Sequence, residues 1–205
     1  MNTVAGYVYN TYLFVKSWFD SPKRMGALFP SFARTGKMLA GLIKDPHNVR
    51  VVELGAGTGQ VTDQIVNAGV DLNKFATIEF DQKFCGELLK KHPEGLQIFN
   101  IDAAAMGEKL PSEFVGNTDY IISTLPLITL REAKAKEVIE AVFRMLKQGG
   151  VYIQITFSPL KPKYMKRLGL KATKICVSWI NLPPTHIWRI CKRSTFVSTI
   201  VPNLS

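Results

Sequence analysis

The 205-residue chain is poor in cysteine, has no long apolar run, and carries no acidic residue over its last third. Its three cysteines, Cys85, Cys176 and Cys191, form no CxxC pair and have no histidine at metal-ligand spacing. Such an odd, scattered set excludes a disulfide framework and a zinc ribbon, and fits reduced thiols in a cytoplasm. No metal is expected. No apolar run approaches the roughly 18 to 20 residues of a spanning helix. The amino end lacks the basic-then-apolar layout of a secretory signal, so a soluble or peripheral protein is expected. Internal repeats and low-complexity tracts are also missing, which excludes solenoids and linker-like segments.

What is present is unevenly charged. From Ala141 onward there are eleven Lys/Arg and no Asp/Glu. Residues 1–50 hold seven bases against two acids, and residues 51–140 hold eight bases against fourteen acids. The net charge of +10 therefore sits at the two ends. Such segregation points to an anionic partner, lipid or nucleic acid, met by both ends together. A basic solubilising surface is the plainer alternative. With 46% apolar and 20% charged residues the composition is globular, and the length suits one α/β domain.

Periodicity divides the chain at about residue 48. Val49–Leu54 is a short β-branched run ending at glycines, which reads as a strand buried on both faces. Helical spacing follows over Gln60–Ala68, then a strand at Phe75–Phe80, a helix at Gln82–Lys91, and strands at Leu96–Asn100 and Asp119–Ser123. Arg131–Leu146 is a long amphipathic helix, with Gly149-Gly150 expected as its left-handed cap. Val151–Thr156 is a fifth strand. Lys171–Ile180 and Thr185–Cys191 supply two more, one of them antiparallel. Alternating strands and helices imply right-handed crossovers and a doubly wound, mostly parallel α/β sheet of seven strands. Residues 1–48 read as a helical segment crowded with Tyr7, Tyr9, Tyr12, Trp18 and Phe19. It serves as a packed lid or lies in a membrane interface, where Tyr and Trp are favoured and Lys16, Lys23 and Arg24 meet head groups.

Chemistry concentrates in Glu53-Leu54-Gly55-Ala56-Gly57-Thr58-Gly59, between the first strand and its helix. The dinucleotide fingerprint G-x-G-x-x-G fails because Gln60 stands where the last glycine belongs, and no Gly-Lys-Ser/Thr makes a P-loop. An acid two residues before the first glycine is no help in holding pyrophosphate. It suits a cationic ligand in a desolvated cleft, and S-adenosylmethionine, with a sulfonium and an ammonium, is such a ligand. Glu79 ends the second strand, where a carboxylate accepts from both hydroxyls of a ribose. Asp102, after the third strand, is placed to take an adenine amino group. Ser123-Thr124-Leu125-Pro126 follows the fourth strand, so four strand ends present polar residues to one crevice. Taken singly, each acid is equally well a surface residue or a helix cap.

These residues resemble the class I methyltransferase pattern. More narrowly, the chain resembles bacterial phospholipid N-methyltransferases of the phosphatidylethanolamine-methylating type. The selective segments are Trp18-Phe19-Asp20-Ser21-Pro22-Lys23, Gly26-Ala27-Leu28-Phe29-Pro30-Ser31 and Asn181-Leu182-Pro183-Pro184 with Trp188 and Arg189. Gln154-Ile155-Thr156-Phe157-Ser158-Pro159 adds to them. Thr124 departs from the family, which carries a smaller residue there. RNA adenine dimethyltransferases share the glycine loop and the x-L-P-x motif, but use an aromatic after that proline to stack the base. Here Leu127 takes that place and no helical RNA-binding domain follows the sheet, so nucleic acid is not the expected partner. A non-catalytic membrane-binding module of the same fold is a third reading; it would have no need of the glycine loop, Glu79 and Asp102.

The resemblance implies a peripheral enzyme on the inner face of the cytoplasmic membrane. It would move methyl groups from S-adenosyl-L-methionine to the nitrogen of a phospholipid. On this reading Ser31, Glu53, Gly55, Gly57, Gly59, Glu79, Phe80, Asp102 and Ala103 bind the cofactor. Tyr7, Trp18 and Leu125 contact the lipid, the aromatics by cation–π attraction to the methylated ammonium. Arg189 would hold the phosphate, ahead of Lys161 and Lys163. Tyr12, Ser123 and His186 are the candidate catalytic groups, Ser123 lining the acceptor pocket and His186 serving as base, although surface or packing is the plainer role for that histidine. An anionic membrane surface is the expected partner, each Lys or Arg contributing on the order of 1 kcal/mol near the leaflet.

Overall fold

The computed structural model describes residues 29–92, 95–127, 130–156, 168, 170, 173–178 and 185–192. Its first element, α1 (Phe29–Ala40), precedes β1 (Val51–Leu54), α2 (Gln60–Asn67), β2 (Phe75–Glu79), α3 (Gln82–Lys91) and β3 (Gln97–Asn100). A short helix α4 (Met106–Lys109) leads to β4 (Thr118–Ser123), followed by α5 (Glu132–Met145), β5 (Leu146–Thr156), β6 (Thr173–Ser178) and β7 (Thr185–Cys191). The seven strands form one sheet in the order β3-β2-β1-β4-β5-β7-β6. All neighbours from β3 to β5 are parallel, whereas β7 runs antiparallel between β5 and β6. The doubly wound sheet with a single reversed strand is the one expected from the sequence.

Each face of the sheet has its own core. On one side α1 and α2 bring Leu39, Ile43, Val61 and Ile65 onto Val51, Phe75, Ile122, Ile153 and Ile187. On the other, α5 lays Ala135, Val138, Ile139 and Val142 over Val52, Leu54, Ile121 and Tyr152. Strand alternation sends successive residues to opposite faces, so β1 is buried at all four positions. Helix α1 crosses α2 at Gly36, where a Cβ would stand 2.9 Å from Gln64 Cγ and 3.0 Å from the Gln60 carbonyl. No described helix is long and apolar enough to cross a membrane.

One element differs from the sequence reading. Helix α5 does not end on a glycine cap: Leu146, the residue after its last turn, is already extended (φ −64°, ψ 139°) and opens β5. Gly149 and Gly150 instead form an irregularity inside β5, between the Thr118–Leu146 and Tyr120–Val151 pairs. Gly149 has φ 76°, its amide donates to the Lys192 carbonyl, and a Cβ on Gly150 would stand 2.9 Å from the Thr118 carbonyl. The glycines thus fit the strand into a crowded junction. The β3–β4 crossover, to which the sequence reading assigned no element, is made of two 3-10 turns (Ala103–Ala105 and Ser112–Phe114) around α4.

Candidate active site

The strand order reverses between β1 and β4, and there the carboxyl ends of β1, β2 and β4 meet: Leu54 pairs with Ile78 on one side and Ser123 on the other. Ligands of open α/β sheets bind at this switch point. The loop after β1 turns through three glycines with positive φ, Gly55 at 78°, Gly57 at 54° and Gly59 at 81°. Gly55 and Ala56 donate to the Ile78 carbonyl, which curls the loop over the end of β2. The Gly57 amide donates to Glu79 Oε2 at 2.8 Å, and the Asp81 amide to Glu79 Oε1 at 2.9 Å. Glu79 therefore fastens the loop to β2. Each carboxylate oxygen keeps a second lone pair, as many as the two hydroxyls of a diol require.

Glu53 lies one strand over and is fully buried. Its Oε2 accepts from the hydroxyls of Thr62 (2.7 Å) and Thr77 (3.2 Å), while its Oε1 is buried without a partner. Burial pushes its carboxyl up to about 7 against the two threonine hydrogen bonds, with the Glu79 and Asp63 charges adding to the rise. A buried acceptor with no donor is a cost of about 1–3 kcal/mol that a cationic ligand nearby offsets by ionising the acid.

The loop after β4 closes the crevice. Thr124 donates its hydroxyl to the Gly55 carbonyl, and its amide to the Leu54 carbonyl at 3.0 Å. The larger residue at this position is thus the bond between the two loops. Leu125 packs over Gly55, where a Cβ would stand 2.8 Å from Leu125 Cδ2. Gln154 on β5, fully buried, donates to the Leu125 carbonyl at 2.9 Å and fixes that turn. Sequence reasoning passed over Thr62, Thr77 and Gln154 as organisers. Thr77 and Gln154 stand out only as polar side chains in buried strands, and Thr62, among Gln60, Asp63 and Gln64 of α2, carries no such signal.

The structure places Glu53, Gly55, Gly57, Gly59, Glu79 and Leu125 together. Phe80, next after Glu79, is 77% exposed, an apolar face left open beside the carboxylate. Asp102 and Ala103 stand where β3 leads into its 3-10 turn. Asp102 Oδ1 caps that turn through the Ala104 amide, and Oδ2 meets Lys134 Nζ at 2.7 Å. Burial pushes its carboxyl up, but the Lys134 and Ala104 hydrogen bonds outweigh that and hold it below its ordinary value. An adenine amino group there would be an additional partner to a carboxylate already committed.

The acceptor-side candidates Ser123, His186 and Arg189 have distinct surroundings. Ser123 is fully buried and its hydroxyl accepts from the Leu125 amide (3.3 Å), so it shapes the turn. His186 is buried in β7, stacked on Trp188 with ring centroids 6.5 Å apart, a packing position and so the plainer of the roles read for it. Arg189 lies opposite Ile153, three residues back from the end of β5, and lines a separate cavity with Leu42, Lys44, Tyr120, Val151 and Ile153. Leu127 is buried in the core. Ser31 falls in the first turn of α1. Tyr7, Tyr9, Tyr12, Trp18, Lys161 and Lys163 lie outside the described residues.

No family model matches the chain. Among curated proteins it is similar to the ornithine lipid N-methyltransferase of Singulisphaera acidiphila, 24% identical over 176 residues, 84% of this chain and 91% of that one. Among solved structures it is similar to the magnesium protoporphyrin IX methyltransferase of Synechocystis PCC 6803 with bound S-adenosylmethionine (TM-score 0.59, 17% identity, 79% of each chain). It is also similar to an S-adenosylmethionine-dependent O-methyltransferase of Thermotoga maritima (TM-score 0.56, 13% identity, 78% of this chain and 65% of that one). The strand order, the glycine turn at the switch point and these likenesses agree: the chain has the Rossmann-like fold of class I methyltransferases.

Proposed function

We propose that this protein is an S-adenosyl-L-methionine-dependent N-methyltransferase acting on the amine of a membrane lipid. The finer reading is the ethanolamine nitrogen of phosphatidylethanolamine and its mono- and dimethyl forms, toward phosphatidylcholine. The observation that carries the cofactor is the pair of carboxylates flanking the glycine turn, Glu53 with an unpartnered buried oxygen and Glu79 holding the loop. They favour a cation with a ribose over a pyrophosphate. The lipid acceptor is supported by the likeness to the ornithine lipid N-methyltransferase over 91% of its length. Phosphatidylethanolamine is supported by the selective segments at both ends of the sequence. An RNA acceptor is disfavoured because Leu127, buried in the core, offers no stacking face.

When bound, S-adenosylmethionine supplies a methyl group on a sulfonium, ready for in-line displacement. The chain's own residues then have four tasks. Glu53 contributes negative charge under the loop once ionised. Glu79 accepts from the ribose while keeping Gly57 in place. Phe80 offers an apolar face to the adenine. Leu125, held by Gln154, walls the crevice against water. An amine brought against that wall loses solvation, which lowers its pKa and exposes the lone pair that attacks. The acid-free carboxyl-terminal third and the basic amino end would hold the protein on the anionic inner face of the cytoplasmic membrane.

The test is transfer of labelled methyl groups to vesicles of phosphatidylethanolamine, to vesicles of ornithine lipid and to unmodified ribosomal RNA. Label in the phosphatidylethanolamine fraction is expected. Label confined to ornithine lipid would move the acceptor, and label confined to RNA would overturn the lipid reading. Vesicle binding that is indifferent to salt would remove the electrostatic docking.

A further inference from the structure

The cavity that contains Arg189 belongs to no part of the crevice. It encloses about 300 Å³ on the face of the sheet covered by α1, between Leu42, Lys44, Tyr120, Val151, Ile153 and Arg189. Ile153 is three residues before the end of β5, about 10 Å from the carboxyl edge at the rise of a strand. Nothing bound there reaches the glycine turn as a methyl acceptor.

Its chemistry is two-sided. Val151 and Ile153 form a buried apolar floor, extended by the half-buried Leu42. Lys44 and Arg189 are exposed at its rim, and neither has an ion-pair partner among the described residues. Among the described residues no carboxylate lines the cavity. The nearest acids in sequence are engaged elsewhere. Asp45 accepts from the Asn48 side chain, and Asp119 is held by Lys147 and the Arg50 amide. The Tyr120 hydroxyl accepts from the Lys44 amide at 3.3 Å and keeps its own proton to donate. Two cations and a phenol above three aliphatic side chains match an anion joined to hydrocarbon. A free anion would leave the floor uncovered, and a neutral apolar ligand would leave two charges unanswered.

We propose that this cavity is a second lipid site, which takes the phosphate of an anionic membrane phospholipid between Lys44, Arg189 and Tyr120. The carbons nearest the phosphate lie on Leu42, Val151 and Ile153, and the planar fork of Arg189 suits two phosphate oxygens. A volume of about 300 Å³ is the lower end of the range for small-molecule sites. It holds a head group and the first carbons, leaving the acyl chains in the bilayer. The site orients the α1 face toward the membrane, whatever lipid is methylated at the crevice.

The experiment titrates the full-length protein by calorimetry with dihexanoyl phosphatidylglycerol below its micelle concentration. Parallel arms use dihexanoyl phosphatidylcholine and inorganic phosphate. Phosphatidylglycerol is expected to bind most tightly. Lys44→Gln and Arg189→Gln should each weaken it about tenfold, and the double variant about a hundredfold. Tyr120→Phe, which removes only a hydroxyl, should weaken it a few-fold. Melting temperature and affinity for S-adenosylhomocysteine, read on the same samples, should not move. The proposal is overturned by phosphatidylglycerol failing to bind, by the double variant binding as tightly as the parent, or by inorganic phosphate binding equally well. That last result would mean a simple anion site.

Discussion

Glu53 is the residue whose removal says most. In the folded chain it keeps its proton up to about pH 7, because burial raises it from its ordinary value of 4.5. In the unfolded chain it loses that proton near pH 4.5. Between those two values the unfolded state binds fewer protons, so this group makes folding less favourable as pH rises. At the usual conversion from pKa to free energy, the loss between pH 5 and pH 8 is about 2–3 kcal/mol. Glu53→Gln replaces the acid by an amide that never ionises. Its carbonyl still accepts from Thr62 and Thr77, while its NH2 takes over the position without a partner. The variant should therefore be close to the parent at pH 5 and gain on it steadily toward pH 8. With a urea slope of roughly 2–3 kcal/mol/M, that gain is about 1 M in the unfolding midpoint. Affinity for S-adenosylmethionine should move the other way. In the parent it should rise by up to tenfold per pH unit below 7 and level off above, as the bound cation draws the proton from Glu53. In Glu53→Gln it should be weaker and flat. Parallel stability curves from pH 5 to 8 would refute the reasoning, since the buried acid would then have no raised pKa.

Phe80→Ala should leave stability within about 0.5 kcal/mol, because the ring is 77% exposed, yet weaken S-adenosylhomocysteine about tenfold in a calorimetric titration. Equal affinity would show that the ring faces solvent only. Glu79→Ala deprives the Gly57 and Asp81 amides of their acceptor. It should cost about 3 kcal/mol in urea unfolding and at least a hundredfold in cofactor affinity. Gly55→Ala combines φ 78° with a Cβ 2.8 Å from Leu125, and should lower stability by about 2–4 kcal/mol. Adding Leu125→Ala should restore the packing part of that loss but not the backbone part.

Much of this was legible in the sequence because the signals are local. The β-branched run at Val51–Leu54, the acid and glycines after it, and Glu79 at the end of β2 need only their neighbours to be read. The apolar stripe of α5, Ala135, Val138, Ile139 and Val142, is likewise a matter of spacing. What escaped depends on partners distant in the chain. Gly149-Gly150 has the composition of a helix cap, and only the approach of Thr118 and Lys192 makes it a strand irregularity. The turns from Ala103 to Phe114 are too short to show a period. His186 and Arg189 sit on β7, whose side chains are assigned to a face by pairing with β5.

The position of β7 between β5 and β6 also bears on how the chain is made. Strands β1 to β5 can pair as they leave the ribosome, but β6 has no place to go until β7, which follows it, has been synthesised. Until then the long edge of β5, with Val151, Ile153 and Ile155, offers unpaired backbone beside aliphatic side chains. At about 5–20 residues per second that exposure lasts on the order of seconds. A chain released before Thr185 keeps a naked apolar edge, a template for joining other chains. Products cut short before Thr185 should thus be recovered as aggregates, while a chain that carries β7 covers the edge of β5.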